Sequence, residues 1–496
     1  MLKSRLVIAI GAALMAASCA STTPANDSAN TSNATAPQVQ MLSADPLASA
    51  QGTAELTIEQ IMADPDWMGR FPENAFWSMD GEHILFYQKR EGSEIRDLMI
   101  IKNAEGEASK VALSDYHLYV ADEKEQSVAG NWLAYTFEGN VFARFGDGSV
   151  KQLTRDEARQ HNLQAMTDGS LSYQQGNDFY VVDINSGLTR QVASIKFEDA
   201  PKANEDPKDY LAKEEQQLIQ YVQKERKAAE ERFERQQQLQ SQNASLAPKP
   251  FYLDKSKQLV QARLSPRGDK IVAAISEPNK WREDGDIMPN YINEDGRISS
   301  EQVRRRVADA QPDEDQLVIL DLENHTDTAL TYNTLPGWNE DVLADVKREN
   351  HEARGEDYES EEKPRPIHLM ADWGWENGAI QWNDNGTELA VMLEAWDNKD
   401  RWIATVDFSG KKLVPQDRLH DDAWINYTHN EFGWLNDDSL WFMSEADGYS
   451  HLYVKPLNGD TQQLTEGNYV VETAELSNDA EYLYFQANIE HPGIYE

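Results

Sequence analysis

One short pattern of apolar and polar residues recurs along most of the chain. An apolar residue precedes a polar turn related to Ser/Asn-x-Asp/Arg-Gly, and an apolar strand of about six residues follows. The clear copies are FWSMDGEHILFYQ, ARLSPRGDKIVAAIS, IQWNDNGTELAVMLE, FGWLNDDSLWFMSE and AELSNDAEYLYFQA. Two looser copies, VAGNWLAYTFEGNVFARFGDGSVKQLT and AMTDGSLSYQQGNDFYVVDINSGLTRQVA, lie between the first and the second. Each copy predicts a β-hairpin, because tight turns of this kind join antiparallel strands.

Most copies continue into a second hairpin, as in LYVKPLNGDTQQLT and IATVDFSGKKLV. The interval from Trp434 to Leu476 is 42 residues. Four strands repeating at about 40 to 50 residues are typical of a β-propeller. We therefore expect an all-β fold over residues 51–496, a propeller of seven to eight four-stranded blades.

The last copy of the repeat is incomplete. It starts at Ala474 and reaches HPGIYE after about two strands. Half a blade would leave backbone groups unpaired, so we expect the natural chain to continue beyond Glu496.

Two insertions interrupt the repeats. Residues 205–243 lack glycine and place apolar residues at helical spacing among mixed charges, which predicts one long exposed helix. Those residues are Leu211, Leu218, Val222, Ala229 and Phe233. Residues 332–366 contain the acidic, proline-bearing run EARGEDYESEEKPRPIH, which predicts an irregular surface loop.

The amino terminus, residues 1–19, reads as an export signal. Lys3 and Arg5 precede an apolar stretch, and small residues precede Cys19. This layout resembles a bacterial lipoprotein signal, which implies lipidation of Cys19. Such signals usually carry Leu where Ala16 stands, so ordinary secretion with an unmodified Cys19 stays an alternative. Residues 20–50 are rich in Ser, Thr, Ala and Asn and predict a disordered tether.

These features predict a lipid-anchored protein of a Gram-negative cell envelope, at the outer membrane and facing the periplasm or the cell surface. The single cysteine excludes an intramolecular disulfide. A net charge of −40 argues against nucleic acid as a partner and against membrane contact other than through the lipid.

The chain offers little support for a metal or a cofactor. It has no H-E-x-x-H, no C-x-x-C and no complete calcium-loop motif. The run His420-Asp421-Asp422 supplies three potential ligands, but alternate residues of an extended segment point to opposite faces. We expect neither a metal nor another cofactor.

The segment GYSHL, residues 448–452, is close to the G-x-S-x-G elbow that presents a catalytic serine. The G-x-S-x-G elbow needs glycine on both sides and opens a helix, whereas Leu452 follows Ser450 at the second glycine position and a strand continues. Ser450 is therefore interpreted as a turn residue.

Glu214 and Glu215 are the candidate substrate-binding pair. Adjacent carboxylates on a helix that faces a cavity could bind the free α-ammonium of a peptide. Neighbouring helical residues diverge by about 100 degrees, so a solvated helix face is the competing interpretation.

Five segments together carry a family resemblance, which covers about residues 55–496. These segments are WSMDG at 77–81, MPNYINEDG at 288–296, HDDAWINY at 420–427, FGWLNDDSLWFMSEADGYSHLY at 432–453, and the terminal EHPGIYE. With them the chain resembles the amino-terminal propeller of the prolyl oligopeptidase family, in particular its dipeptidyl peptidase IV-like enzymes.

The resemblance implies a propeller that gates a following α/β-hydrolase domain and selects short peptide substrates. The serine, aspartate and histidine of catalysis would come from that second domain, which is absent here, so no catalytic residue is assigned and this chain alone is expected to be inactive. Glu214 and Glu215 match the family's amine-binding pair in residue type. A stand-alone TolB-like binding propeller remains the alternative, and cleavage specificity and homodimer formation stay open.

Overall fold

A computed structural model describes residues 57–63, 65–102, 106–205, 207–278, 287–303, 312, 314–370, 378–477 and 480–489. The predicted signal with Cys19, the predicted tether and the final HPGIYE lie outside these ranges. The chain divides into two compact units, residues 1–120 and 121–496.

The first unit contains one four-stranded antiparallel sheet. Its strands follow chain order: β1 (Pro72–Trp77), β2 (Ile84–Lys89), β3 (Arg96–Ile101) and β4 (Ser109–Lys110). A short helix, α1 (Ile58–Ile61), and a 3₁₀ turn (Pro65–Met68) precede the sheet, and a second 3₁₀ turn (Leu113–Leu118) follows it. Leu85, Leu98, Ile100 and Val111 form the core of this unit.

The second unit is a succession of antiparallel sheets. The second sheet of the chain comprises β5 (Glu123–Gln126), β6 (Trp132–Phe137), β7 (Asn140–Phe145) and β8 (Val150–Gln152). The third sheet comprises β9 (His161–Ala165), β10 (Leu171–Gln175), β11 (Asp178–Val182) and β12 (Thr189–Lys196), with β13 (Phe251–Tyr252) added parallel to β12.

The fourth sheet comprises β14 (Gln258–Leu264), β15 (Lys270–Ser276), β18 (Gln316–Asp321) and β19 (Thr326–Ala329). Between its second and third strands the chain makes a separate hairpin of β16 (Ile287–Asn290) and β17 (Ser299–Gln302).

In the fifth sheet β20 (Ile367–Leu369) and β21 (Ile380–Trp382) both pair with β22 (Leu389–Ala395), which β23 (Asp400–Asp407) and β24 (Lys412–His420) follow. The sixth sheet comprises β25 (Phe432–Asn436), β26 (Ser439–Ser444), β27 (His451–Pro456) and β28 (Gln462–Gln463). The seventh has two strands, β29 (Val471–Leu476) and β30 (Leu483–Ala487).

The repeated turn of the sequence joins the first two strands of a sheet, and the structure gives its physical basis. The first turn residue accepts a hydrogen bond on its side-chain oxygen from the backbone N–H five residues later, as when Ser78 Oγ accepts from His83 at 3.0 Å. The residue three positions on has positive φ, which favours glycine. This arrangement recurs at turns that begin at Ser78, Ser127, Ser265, Asn383 and Ser477.

Neighbouring sheets of the second unit pack face to face. The largest apolar cluster joins the fourth, fifth and sixth sheets, through Val272 of the fourth, Met392 and Trp402 of the fifth and Phe442 of the sixth. Other clusters join the second sheet to the third, the third to the fourth, and the sixth to the seventh. Burying each such aliphatic or aromatic side chain contributes about 1.5–3 kcal/mol. Meandering four-stranded sheets stacked in this way are β-propeller blades, so the predicted fold class is confirmed, with the last blade reduced to two strands within the described residues.

The predicted helical insertion is helical but is not one helix. It forms α2 (Tyr210–Leu218) and α3 (Gln220–Gln242), separated at Ile219, whose backbone is extended (φ −92°, ψ 103°). Of the predicted apolar stripe, Val222, Ala229 and Phe233 are half-buried, but Leu211 and Leu218 are exposed. The break at Ile219 turns the first helix out of line with the stripe. Within the described ranges no helix is long and apolar enough to cross a bilayer.

The predicted acidic loop at residues 332–366 also differs from expectation. It contains α4 (Ala344–Glu352) and is held by hydrogen bonds rather than left irregular. Asp341 accepts hydrogen bonds from Lys347 Nζ at 2.5 Å and from Ser360 Oγ at 3.2 Å, and it also contacts the hydroxyl of Tyr358. The Asp341 carboxylate therefore links α4 to the residues that follow this helix.

The junction between the second and third sheets is made by side chains. Glu123 accepts a hydrogen bond from the Leu163 N–H, and Glu125 accepts one from the Ala165 N–H, both at 2.7 Å. These two carboxylates accept hydrogen bonds from backbone N–H groups at the edge of β9, which has no neighbouring strand on that side. Burial is the main reason that the pKa of Glu125 is raised to about 7, with hydrogen bonding from Ala165 opposing it.

We expect the Glu125→Gln variant to remove a pH dependence of stability. The folded-state pKa of Glu125, about 7, lies above its ordinary value of 4.5, so the folded protein binds more protons between those pH values. This stabilisation is fully present below pH 4.5 and is lost as pH rises through about 7. Urea midpoints measured from pH 5 to pH 8 should therefore fall less in Glu125→Gln than in the parent.

The exposed Glu301→Gln variant is the control, since it removes a carboxylate without touching the junction. It should retain the parent pH profile. Identical profiles for the parent and Glu125→Gln would show that Glu125 does not titrate as proposed.

Candidate functional site

The two ends of the sheets carry very different connections. At one end the strands are joined by tight hairpins such as 265–269 and 408–411. At the other end the chain leaves in long segments, which span residues 197–250, 277–315, 330–366 and 421–431. We call this end the loop edge. Residues that bind substrates are commonly found on loops held by a rigid scaffold, so the loop edge is the candidate functional surface.

Helix α2 on the longest of these connections carries Glu214 and Glu215. Asp209 begins the helix, because its side chain accepts a hydrogen bond from the Ala212 N–H at 2.8 Å. Glu214 is half-buried and Glu215 is exposed. Among the residues that the structure describes, neither carboxylate forms a hydrogen bond or an ion pair. Within the described residues the pair therefore has no counter-ion, and two such carboxylates suit a cationic ligand.

Apolar side chains surround this acidic pair. Tyr210, Leu211, Leu218 and Tyr221 are each at least 71% exposed. Acidic and apolar groups on α2 and the first turn of α3 match a ligand with an ammonium group and an apolar body.

The helical insertion is anchored to its own stem through α3. Asn204 Nδ2 donates to the backbone carbonyl of Arg226 at 3.1 Å and to Glu230 at 3.2 Å. Arg226 Nη1 donates back to the Glu205 carbonyl at 3.2 Å. These contacts fix α3 to the segment that leaves β12 and thereby position α2 beyond it.

A buried carboxylate, Asp400, ties the loops of the fifth sheet together. Asp400 is fully buried and accepts hydrogen bonds from Arg365 Nη1 at 2.6 Å and Arg418 Nε at 2.7 Å. His420 Nδ1 lies 3.0 Å from the same carboxylate. Arg418 also donates to Glu340 at 2.8 Å, which reaches into the 330–366 connection. A charge removed from water needs such partners, because an unpaired buried ion is strongly destabilising.

Arg365 makes the densest set of contacts in this cluster. It donates two hydrogen bonds to Asp397, at 2.9 and 2.5 Å, and one to the Gly337 carbonyl at 2.9 Å. Its guanidinium lies 5.6 Å from the ring of the buried Trp402. Burial lowers the pKa of Arg365, but the hydrogen bonds to Asp397 and Asp400 outweigh it and raise the pKa overall. Arg365 therefore stays charged and holds the 330–366 connection against the fifth sheet.

The run His420-Asp421-Asp422 has structural partners. His420 lies between Asp400 and Asp422, with its Nε2 3.4 Å from the Asp422 carboxylate. Asp421 accepts hydrogen bonds from the N–H groups of Ala423 and Trp424, at 2.6 and 3.0 Å. Across the described part of the chain, no group of three or more His, Cys, Asp or Glu side chains is placed to hold a metal ion.

The structure confirms that Ser450 is a turn residue. Ser450 is fully buried, and its hydroxyl donates to the Val471 carbonyl at 2.8 Å. The neighbouring His451 ring contacts the Thr465 hydroxyl and the Gly467 carbonyl, each at 3.0 Å. Gly448 has a φ of +97°, as a tight turn between β26 and β27 requires. Ser450 therefore joins the sixth sheet to the seventh and does not face a substrate.

The sequence reasoning missed the Asp400 cluster. Its members lie in separate segments, at Arg365, Asp397, Asp400 and Arg418, and no spacing rule links them. The one available signal was Arg365 between Pro364 and Pro366, where a cation is held in a stiff, extended stretch.

Comparison with known families identifies part of the chain. Residues 378–495 match the family described as dipeptidyl peptidase IV (DPP IV) N-terminal region. Residues 378–495 include the fifth sheet except β20, the sixth sheet, the loop that follows His420 and the turn at Ser450. The resemblance predicted from the sequence is thereby confirmed in the part of the chain where it was most specific. No curated protein matches the chain.

Two solved structures are similar to the chain. Porphyromonas gingivalis dipeptidyl peptidase 4 shows 11% identity and a TM-score of 0.43, with 88% of this chain and 53% of that one covered. A putative dipeptidyl aminopeptidase IV from Bacteroides ovatus shows 12% identity and a TM-score of 0.40, with 84% of this chain and 50% of that one covered. This chain thus spans about half the length of the solved structures that it matches.

We expect the Asp400→Asn variant to be strongly destabilised. Loss of the carboxylate removes the buried counter-ion that Arg365 and Arg418 share and leaves them with Asp397 and Glu340 alone. The upper bound of the cost is about 3–5 kcal/mol, the value for an uncompensated buried charge. The urea midpoint should fall accordingly. Asp460→Asn, which removes an exposed carboxylate of the sixth sheet, is the matched control and should unfold as the parent does. Equal midpoints for the two variants would show that Asp400 does not hold the loop edge together.

Proposed function

We propose that this chain is the substrate-selecting propeller of an exported serine exopeptidase of the dipeptidyl peptidase IV type. The match of residues 378–495 to the N-terminal region of that family supports the proposal. The chemical step belongs to an α/β-hydrolase domain outside this chain, which supplies the nucleophile, the base and the acid. The propeller allows only short peptides to reach the active site. It does not cleave a peptide bond by itself.

Glu214 and Glu215 bind the free amino terminus of the peptide substrate in this proposal. The observation that carries it is the pair of carboxylates without a described counter-ion on α2, beside exposed Tyr210 and Leu211. Charge-assisted hydrogen bonds to an ammonium are about twice as strong as neutral ones. An anchor for the α-ammonium makes the enzyme cut at a fixed distance from the chain end, which defines an exopeptidase.

The amino-terminal signal completes the proposal. Cys19 carries the lipid, residues 20–50 form the tether, and the propeller stands in the cell envelope of a Gram-negative bacterium, at the outer membrane. Replacing Cys19 with Ala in the full-length precursor would release the protein from the membrane fraction. Sequencing the gene beyond codon 496 tests for the proposed hydrolase domain. A stop codon there would support a stand-alone binding propeller.

We expect the proposed amine-binding pair, Glu214 and Glu215, to increase the affinity for peptides that have a free amino terminus. The parent chain should bind Ala-Pro-Ala-amide with a free amine more tightly than the N-acetylated peptide, as measured by titration calorimetry. In the double variant Glu214→Gln/Glu215→Gln the free-amine peptide should bind about tenfold more weakly, since a hydrogen bond to a charged group contributes about 1.5–3 kcal/mol.

The double variant Glu225→Gln/Glu234→Gln removes the same charge from exposed positions of α3 and is the control. It should bind both peptides as the parent does. An unchanged preference for the free amine in Glu214→Gln/Glu215→Gln would refute the anchor.

We expect the isolated 496-residue chain not to cleave a Gly-Pro or Ala-Pro reporter, because the proposal places the triad in a separate hydrolase domain. The measurement is reporter release over hours at high protein concentration. Turnover that a serine-directed phosphonate abolishes would place a nucleophile within this chain. It would contradict the proposal that the catalytic residues lie in a separate domain.

A further inference from the structure

A concave site lies between the third, fourth and fifth sheets. This cavity, which we call the inner cavity, has a volume of about 530 Å³. It is bounded by the start of β9, the turn between β10 and β11, four consecutive residues of β14 (259–262), and β20. Its volume falls within the range of cavities that bind small ligands. Neither Glu214 nor Glu215 lines it.

The wall formed by β14 is a sheet edge. β14 is the outermost strand of the fourth sheet and pairs only with β15. The register between them shifts between Leu259 and Gln261, so Val260 has no partner in register, and its side chain is 46% exposed. Bulged edge strands are found beside binding sites, and a free strand edge can pair with an extended peptide.

Beyond Gln261, the backbone carbonyls of β14 already accept hydrogen bonds from side chains of the protein. The Ala262 carbonyl accepts a hydrogen bond from Asn162 Nδ2 at 3.4 Å, and the Arg263 carbonyl accepts one from Trp382 Nε1 at 3.3 Å. The cavity is lined by the stretch that precedes these two contacts. A bound peptide strand could therefore pair with Leu259–Gln261. It would end before Ala262, where Asn162 and Trp382 already donate hydrogen bonds to the strand.

The equivalent edge of the third sheet is closed instead. There the N–H groups of Leu163 and Ala165 donate to the carboxylates of Glu123 and Glu125. The chain thus covers the edge of β9 with two acidic side chains, whereas no such cap lies over Leu259–Gln261 among the described residues. The two edges are the first strands of successive sheets, and the acidic cap distinguishes the edge of β9 from that of β14.

Two carboxamides stand beside the open edge. Gln261 and Asn177 both line the inner cavity, and neither side chain hydrogen-bonds to a residue that the structure describes. Each carboxamide can both donate and accept, which matches the alternating groups of a peptide main chain. Gly378 makes room for this arrangement, because a Cβ there would overlap the Gln261 carboxamide.

We propose that the inner cavity binds a short extended stretch of peptide through its main chain. The guest pairs with the edge of β14 at Leu259–Gln261, and its amide groups hydrogen-bond to Gln261 and Asn177. Leu259 and Leu369 line the cavity with apolar surface for its side chains. This site recognises the backbone and not the amino terminus, so it does not depend on the anchor proposed for Glu214 and Glu215.

The test uses a peptide that the amine anchor cannot hold, N-acetyl-trialanine amide, titrated calorimetrically into the full chain. We expect saturable binding to the parent, and binding about fivefold weaker in Gln261→Leu and in Asn177→Leu, as the loss of a hydrogen bond worth about 1 kcal/mol implies. Asn177 lies in an exposed turn, so its replacement leaves the core intact. Gln258→Leu makes the same exchange on β14 outside the cavity and should bind as the parent does.

The outcomes separate this site from the amine anchor. Loss of free-amine preference in Glu214→Gln/Glu215→Gln together with unchanged binding of the blocked peptide supports two sites. Absence of saturable binding to the parent, equal binding by the parent and both carboxamide variants, or loss of blocked-peptide binding in Glu214→Gln/Glu215→Gln would overturn the inner-cavity proposal. The anchor proposal fails on a different observation, a free-amine preference that the glutamates do not affect.

Discussion

The structure of the second unit depends on sheets that are apolar on both faces and must be covered on both. In the fifth sheet every residue of β22 is buried, and so is every residue of β23 except the last. Such a sheet is stable only between two others, and the cluster that joins Val272, Trp402 and Phe442 shows that the fourth and sixth sheets supply the cover. This burial dominates the free energy of folding, because it removes large apolar side chains from water.

Stacked sheets leave only their ends and their edge strands free to vary. The hairpin ends are closed by short turns in which a Ser or Asn side chain accepts hydrogen bonds from the backbone. The loop edge carries the long connections, and Asp400 with its two arginines holds one of them rigidly in place. A scaffold built in this way can present Glu214 and Glu215 on α2 without any change to its core.

The repetitive part of the fold could be predicted from the sequence because it is local. Each turn from Ser78 to Ser477 is determined by a few consecutive residues, and the incomplete last sheet followed from the same repeat. Two other local predictions were wrong in detail: the insertion breaks at Ile219, and the acidic segment contains α4. Mixed charges and moderate helix propensity do not distinguish one helix from two, nor a loop from a short helix.

The charged clusters could not be predicted, since their members meet only after folding. Arg365 reaches Asp400, 35 residues away in the chain, and Glu125 reaches Ala165, 40 residues away. The inner cavity likewise depends on contacts between distant residues. Acidic side chains from the preceding sheet cover the edge of β9, but no such side chains among the described residues cover Leu259–Gln261 of β14. Glu214 and Glu215 were found because two adjacent carboxylates in a helical segment form a local signal.

The account rests on the claim that this chain selects peptides by their amino terminus and leaves the chemical step to another domain. A crystal structure of the chain with bound Ala-Pro-Ala would test it most directly. We predict that the α-ammonium lies within hydrogen-bonding distance of the Glu214 and Glu215 carboxylates. A peptide bound with its amino terminus elsewhere, and with α2 unoccupied, would contradict the claim.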